Sequence, residues 1–450
     1  MDVWLIILIF AAWFALFMLL GQNVATCMFG AGLLGIFLLK GSRVLDGMVA
    51  TNIFYTTSTF SLSIISLYLL MANFLMRGGV VVDLFQVAYR LSGHRRFPLG
   101  VATIFSGGLL GAVSGSGSAT AAALSTLASP QLERYGYSKD LAIATAAAAG
   151  SLSAIIPPSL IMIFYGSLTQ VPIGHMFMGA IVPGLVCISA YIGCLAYLGW
   201  REGNRMKIPP ATADGGTTTK GEAADDPALA TVSGRSLSAF IFVVALMVVV
   251  FGGIYGGVVT AGEAGAVGAF ASLVGMVVMR RIGWRDFWLS LEDAVKVTAM
   301  ILVLVMGAEM FGRFLSFSQV PRELVDLVQP FIDQQMLIML VLLAIFFLFG
   351  MVLESAAVMV LLIPIFLPIL DSAQVDQLWF GVMACFMISL GLITPPVGLS
   401  VYAASTATRH PVERIFRPAF MFALFAALIG VAAMLAVPES ITFLPGRIGQ

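Results

Sequence analysis

The chain has 450 residues, of which 60% are apolar and 10% charged, with a mean hydropathy of +1.02 and no net charge. A soluble domain carries about a quarter charged residues, so this composition describes an integral membrane protein with the lipid bilayer as its solvent. Zero net charge gives no electrostatic basis for nucleic-acid binding. The four cysteines (Cys27, Cys187, Cys194, Cys385) lie in apolar runs without a CxxC or Cys/His cluster and read as core packing.

At about 20 residues per crossing the chain has room for ten or more spans. The first apolar run, 3–20, follows Met1-Asp2 with no basic residue and ends without a small-x-small site, so it is expected to be a retained first helix and not a signal peptide. Further crossings are expected at 25–39, 53–76, 141–168, 175–200, 237–254, 264–279, 295–314, 378–407 and 418–437. Two more apolar blocks, 105–128 and 337–370, contain Gly/Ser or Glu-Ser breaks and each ends near a proline, Pro130 and Pro368. Both read as re-entrant hairpins, because irregular backbone at membrane depth survives only where protein or a water-filled cavity satisfies it.

A helix-breaking pattern occurs twice: Pro157-Pro158 and Pro395-Pro396 (395 − 157 = 238), with Pro130 and Pro368 at the same offset (368 − 130 = 238). Interrupted apolar segments at matching positions in two halves are the mark of a secondary transporter, whose helices break where substrate and coupling ion bind. Basic residues cluster at 90–96, 134–139, 201–207, 280–285 and 409–417. Placing these inside makes the first hairpin enter from the cytoplasm and the second from outside, so that the halves are inverted and both termini external. Lys40 and Arg43 run against that scheme. The expected organisation is scaffold helices at 1–100, a first repeat core at 101–200, a flexible cytoplasmic linker at 201–236 (Pro209-Pro210, a Gly/Thr run, Asp225-Asp226), scaffold helices at 237–335, a second repeat core at 336–410, and a C-terminal helix and tail at 411–450.

The first hairpin tip offers Ser114, Gly115, Ser116, Ser118 and Thr120, where alternating glycine and serine free the backbone and supply hydroxyl and carbonyl oxygens. A small hard cation wants several oxygens and no soft ligand, which makes sodium the expected coupling ion. The first broken helix offers Gly150, Ser151 and Ser153 before Pro157, Pro158 and Ser159; proline removes a donor and leaves carbonyls free, and the half-helix beyond presents its positive end. The second half repeats the device with Glu354-Ser355 and with Gly391, Thr394, Pro395, Pro396 and Gly398. Glu354, ionisable inside an apolar block, reads either as functional or as the cap of a hairpin helix. Sodium is expected near Ser114, Ser116, Ser151 and Thr394. Glu309 and Arg313, four apart on one span, are expected to pair with each other, and Thr260 with Glu263 to form a capping box. No nucleotide-binding GxxxxGK[ST] loop, GxSxG serine or HExxH motif occurs, so the chain is not expected to be an enzyme.

These residues resemble the large membrane subunit of the tripartite ATP-independent periplasmic (TRAP) transporters, within the ion transporter superfamily. The matching positions are Ser114-Gly115-Ser116, Ala119-Thr120, Pro130, Gly136-Tyr137, Gly150, Ile155 to Ser159 and Tyr165-Gly166. In the second half they are Gly350, Glu354-Ser355, Pro364, Pro368, Phe380-Gly381 and Gly391 to Gly398. Gly117, Ser153 and the residue before Gly391 depart from the usual pattern, which bears on cation coordination. The resemblance implies an all-α, multi-pass protein of the bacterial inner membrane and an elevator-type, usually sodium-driven importer of small organic acids. It implies two partners, a small four-helix membrane subunit and a periplasmic solute-binding protein, neither of them expected to be fused here. A stand-alone sodium/carboxylate symporter of the same superfamily is the alternative. An ion channel fits less well, since channels usually build a pore from symmetric subunits.

Overall fold

The computed structural model describes residues 3–58, 60–93, 95–203 and 234–447, and every regular element among them is helical. Most of the expected linker, 204–233, lies outside the described residues, as does His94 of the first basic cluster. The first half runs α1 (Val3–Leu19), α2 (Val24–Lys40), α3 (Ser42–Ser58), α4 (Phe60–Arg77), α5 (Val80–Leu91), α6 (Arg96–Ser114), α7 (Gly117–Arg134), α8 (Lys139–Ser151), α9 (Leu160–Thr169), α10 (Ile173–Gly179) and α11 (Ile181–Gly203). The second runs α12 (Gly234–Tyr255), α13 (Ala261–Val278), α14 (Trp284–Ser318), α15 (Val320–Val328), α16 (Gln335–Gly350), α17 (Ser355–Ser372), α18 (Gln377–Gly391), α19 (Leu399–Thr408) and α20 (Val412–Ala426), closed by the short helices α21 (Ala432–Ala436) and α22 (Glu439–Thr442).

Seven helices among the described residues are long and apolar enough to cross a bilayer, and α3 with α4, bent by 48° at their junction, would make an eighth. Hydropathy alone pointed to about ten crossings. The two sets differ in membership: α1 and α2, at 17 residues each, fall short, α6 and α17 are arms of the expected hairpins, and glycine and proline cut the apolar runs 141–168 and 378–407 into helices of 10 to 15 residues, each too short to span alone.

Framework helices pack through small residues. A Cβ placed at Gly35 of α2 would sit 2.2 Å from the Phe314 ring of α14, and one at Gly307 of α14 would sit 2.6 Å from the Ala25 carbonyl oxygen. Without a hydrophobic drive between helices in lipid, such close backbone approach supplies the dispersion contact that holds them. Polar groups add to it. Glu309, expected to pair with Arg313, instead accepts hydrogen bonds from Asn52 Nδ2 (3.1 Å) and Thr56 Oγ1 (2.6 Å) of α3. These two donors tie α14 to α3, and among the described residues Glu309 makes no bond to Arg313. The Thr260–Glu263 capping box is present, with both reciprocal bonds made. Arg77 pairs with Asp293 and Arg281 with Asp83, tying α4 to α14 and α5 to the end of α13.

The two halves correspond element by element around the hairpins. Ser389 donates to the Ser151 carbonyl at 2.7 Å, and these two residues stand at the same 238-residue offset as the proline pairs. That offset also relates the caps Ser138 and Asp376, which accept from Leu141 N and Trp379 N to start α8 and α18. It relates Ser116 and Glu354, which cap the second arm of each hairpin. The hairpins then exchange partners: α7 lies along α19, the half-helix of the second half, while α17 lies along α9 of the first.

Gly307→Val is expected to lower the thermal midpoint of the detergent-purified protein, since overpacking a filled seam costs about 1–3 kcal/mol. Gly193→Ala on α11, where an added methyl meets nothing within 4 Å, should leave the midpoint unchanged or raise it. Differential scanning fluorimetry of both variants checks the pair.

Candidate functional site

The first tip is built by its own hydroxyls. Gly115 takes φ +66, the left-handed turn that glycine adopts without steric cost, and Leu160 packs beneath it. Ser114 Oγ and Thr120 Oγ1 share a 2.5 Å hydrogen bond, and Thr120 Oγ1 donates to the Ser116 carbonyl at 2.8 Å. Ser116 Oγ accepts weakly from Ala119 N and lies 3.4 Å from Ser118 Oγ. Ser114, Gly115, Ser116, Ser118 and Thr120 thus form one compact oxygen-rich corner. The gap beside this corner is lined by Tyr68, Met71 and Ala72 of α4 together with Ala112 and Pro158.

The broken helices come up against that corner through glycines. A Cβ at Gly111 would lie 2.7 Å from Ser153 Cα, and one at Gly150 would lie 2.6 Å from Ala121 N. At Gly117 the same construction points to a spot 3.2 Å from Ser153 Oγ and 3.4 Å from Ser400 Oγ. Both serines are buried, and neither hydroxyl has a hydrogen-bond partner among the described residues. An orphaned buried hydroxyl costs about 1–3 kcal/mol unless something fills its need. Two of them, one from each half, converging beside an oxygen-rich tip make a seat suited to a small hard cation. Among the described residues no three His, Cys, Asp or Glu side chains gather, so the seat is one of neutral oxygens.

Other expected residues are placed differently. Ser151 donates to the Ala148 carbonyl at 2.8 Å and shares a 2.9 Å bond with Tyr191, while Thr394 donates to the Leu390 carbonyl at 2.7 Å. Each hydroxyl donates its proton to local structure and keeps oxygen lone pairs. Glu354 is the N-cap of α17, accepting from Ala356 N at 3.0 Å, with Ser355 buried beside it. Gly391 presses on Gly350, the two backbones close enough that a Cβ on Gly391 would lie 2.5 Å from the Gly350 carbonyl carbon. Gly398, at φ +54, donates its N–H to the Met351 carbonyl at 2.9 Å and so ties the second break to the second hairpin. Pro157 and Pro158 are buried, whereas Pro395 and Pro396 are exposed, Pro395 forming one wall of a cavity of about 630 Å³. Ser400 was not singled out in the sequence. Its signal was its place two residues beyond Gly398, where the second half-helix begins.

Residues 11–439 match the family model described as the DctM component of the tripartite ATP-independent periplasmic transporter. The chain belongs to this family. It is therefore a transport permease of the inner membrane and not an enzyme. The isethionate TRAP transporter permease protein DctMQ of Oleidesulfovibrio alaskensis is 31% identical over 441 residues; the match covers 96% of this chain and 64% of that protein's length. The C4-dicarboxylate TRAP transporter large permease protein DctM of Pseudomonas aeruginosa is 28% identical over 89% of this chain and 90% of its own. The sialic acid TRAP transporter large permease protein SiaM of Vibrio cholerae is 27% identical over 86% of each. The solved structure of the YdaH transporter of Alcanivorax borkumensis shares the fold, with a TM-score of 0.63 at 15% identity over 89% of this chain and 90% of that one.

Replacing Ser153 or Ser400 by alanine in this TRAP permease removes a hydroxyl without a protein partner. Each variant is expected to keep or slightly raise its thermal midpoint, and to lose most of its transport. A thermal shift and an uptake assay on the same preparation check both halves of the expectation.

Proposed function

We propose that this chain is the membrane permease of a sodium-coupled importer that takes up a small organic acid delivered by a periplasmic solute-binding protein. Ser153 and Ser400 carry the reading: two buried hydroxyls without partners, drawn from the two halves, meet beside the hydroxyl-rich tip of the first hairpin. Gly117 supplies room there, and Ser114, Ser116, Ser118 and Thr120 supply the neighbouring oxygens. The start of α9, where Leu160 lies against Gly115, and that of α19, where Ser400 lies near Gly117, bring two helix N-termini to the tip, and their positive ends favour an anionic substrate. The substrates named for the relatives, isethionate, C4-dicarboxylate and sialic acid, are organic acids and support that class.

In this reading the two hairpins, the broken helices and α11 with α20 are one body carrying substrate and ion. It travels against a framework of α2, α4, α12, α13 and α14, as an inverted repeat permits. The reciprocal packing of α7 on α19 and of α17 on α9 supports the single moving body, because neither half can shift without the other. A small membrane subunit would complete the framework. The family's naming as tripartite supports both partners.

Purified chain in liposomes with sodium and free substrate is expected to show little uptake, restored when the small subunit and the cognate binding protein are added. Uptake should then fall to background when sodium is replaced by potassium. Equal uptake on a proton gradient alone would remove sodium from the scheme, and full uptake by the lone chain would favour a stand-alone symporter.

A cysteine pair at Ala72 and Ala112, which line one narrow gap between α4 and the first hairpin, should stop transport once cross-linked and release it on reduction. Undiminished uptake with the cross-link complete would show that the hairpin does not travel past α4.

A further inference from the structure

We infer that the cleft between the start of α8, the end of α11 and the first turns of α20 is a binding site for an anionic phospholipid. It is the cavity of about 630 Å³ that reaches Pro395, and its charged rim carries Arg201, Arg414 and Arg417. Among the described residues none of these three guanidiniums makes an ion pair or hydrogen bond. The acidic residues at the same rim are already engaged. Asp140 lies 2.6 Å from His410 Nε2, and Glu202 accepts from Ser138 N at 3.3 Å with Arg96 at 3.6 Å. The rim therefore presents unneutralised positive charge to whatever enters.

The rest of the cleft is apolar, with Leu198, Phe416, Phe420 and Met421 along its floor. Both bordering helices turn apolar side chains outward beyond it: Tyr197 and Trp200 on α11, Leu424 at the end of α20 and Leu428 just past it are all exposed. In a membrane protein such surface faces hydrocarbon, and Trp200 beside Arg201 marks the interfacial level. The cleft thus opens sideways into the acyl region and carries its arginines at headgroup height. A small organic acid would satisfy the arginines and leave the apolar floor bare; a neutral lipid would fill the floor and leave the arginines unpaired. A phosphodiester with two acyl chains satisfies both, its oxygens matching the fork of a guanidinium. Since α8 is the first arm of a broken helix and α20 packs against it and against α19, the lipid would sit against the body that carries the candidate site.

The test uses the purified full chain, delipidated in detergent and titrated with dioleoyl phosphatidylglycerol (DOPG) or dioleoyl phosphatidylcholine (DOPC), read by native mass spectrometry and by thermal shift. DOPG is expected to be retained and to raise the midpoint, with DOPC doing neither. The triple variant R201Q/R414Q/R417Q should bind DOPG on the order of a hundredfold more weakly, at about fivefold per arginine, while keeping the wild-type midpoint in DOPC. R414Q and R417Q alone, each expected to lose several-fold, carry the test if the triple variant folds poorly, and R417K should recover part of the loss. Equal retention of both lipids, or DOPG binding untouched in every variant, would overturn the inference. Millimolar inorganic phosphate or succinate reproducing the whole DOPG shift would assign the cleft to a free anion instead. Release of bound DOPG when the small membrane subunit assembles would assign it to a protein helix.

Discussion

Inside a bilayer every backbone N–H and C=O must find a partner within the protein, and breaking a helix there exposes such groups where no water can reach them. The architecture of this chain follows from meeting that demand at two proline pairs. Ser389 donates across to the Ser151 carbonyl, Ser159 Oγ returns to the Ala154 carbonyl, and the Gly398 N–H reaches the Met351 carbonyl of the second hairpin. Each break is closed by something that belongs to another element. This requirement forces hairpins and broken helices into one interlocked body.

Close approach is the second consequence. Side-chain and backbone donors reach across the breaks only if the helices touch, and glycines at 107, 111, 150, 350 and 391 allow it, each with protein atoms where a Cβ would stand. The same body leaves the hydroxyls of Ser153 and Ser400 without partners among the described residues, as it does those of Ser106 and Ser125 in the first hairpin. Ser153 and Ser400 differ in converging from the two halves, 3.2 and 3.4 Å from one point beside Gly117. Tyr165 adds to the interlock: its hydroxyl reaches the Gln377 carbonyl, and its ring lies where a Gly381 side chain would be.

Charge is distributed to match. Arg281 with Asp83 and Arg77 with Asp293 pair within the framework, and Arg96 lies over the Tyr137 ring, whose hydroxyl donates to the Arg96 carbonyl, at the foot of the first hairpin. Among the described residues Arg201, Arg414 and Arg417 stay unpaired, beside the exposed apolar sides of α11 and α20. Pairing seals helices together, and unpaired charge at the interface anchors a surface to the headgroups.

The periodic proline pairs, the apolar blocks and the Gly/Ser tip were enough to read a helical transporter with two hairpins and two broken helices, because breaking residues act locally and their spacing is written in the chain. The fate of each oxygen was not legible. Ser151 and Thr394 donate their protons to the Ala148 and Leu390 carbonyls, bonds no motif announces, and Ser400 lies in the opposite half from Ser153 yet approaches it beside Gly117. Glu354 could be read as site or cap, and its geometry as the cap of α17 emerged only with the fold. Glu309 turned from Arg313 to Asn52 and Thr56 because helix α3, whose Thr56 stands 253 residues earlier in the chain, packs against it. Local chemistry determined where the helices break. Which hydroxyl is left without a partner depends on contacts between segments far apart in the chain, and only the tertiary structure decided that.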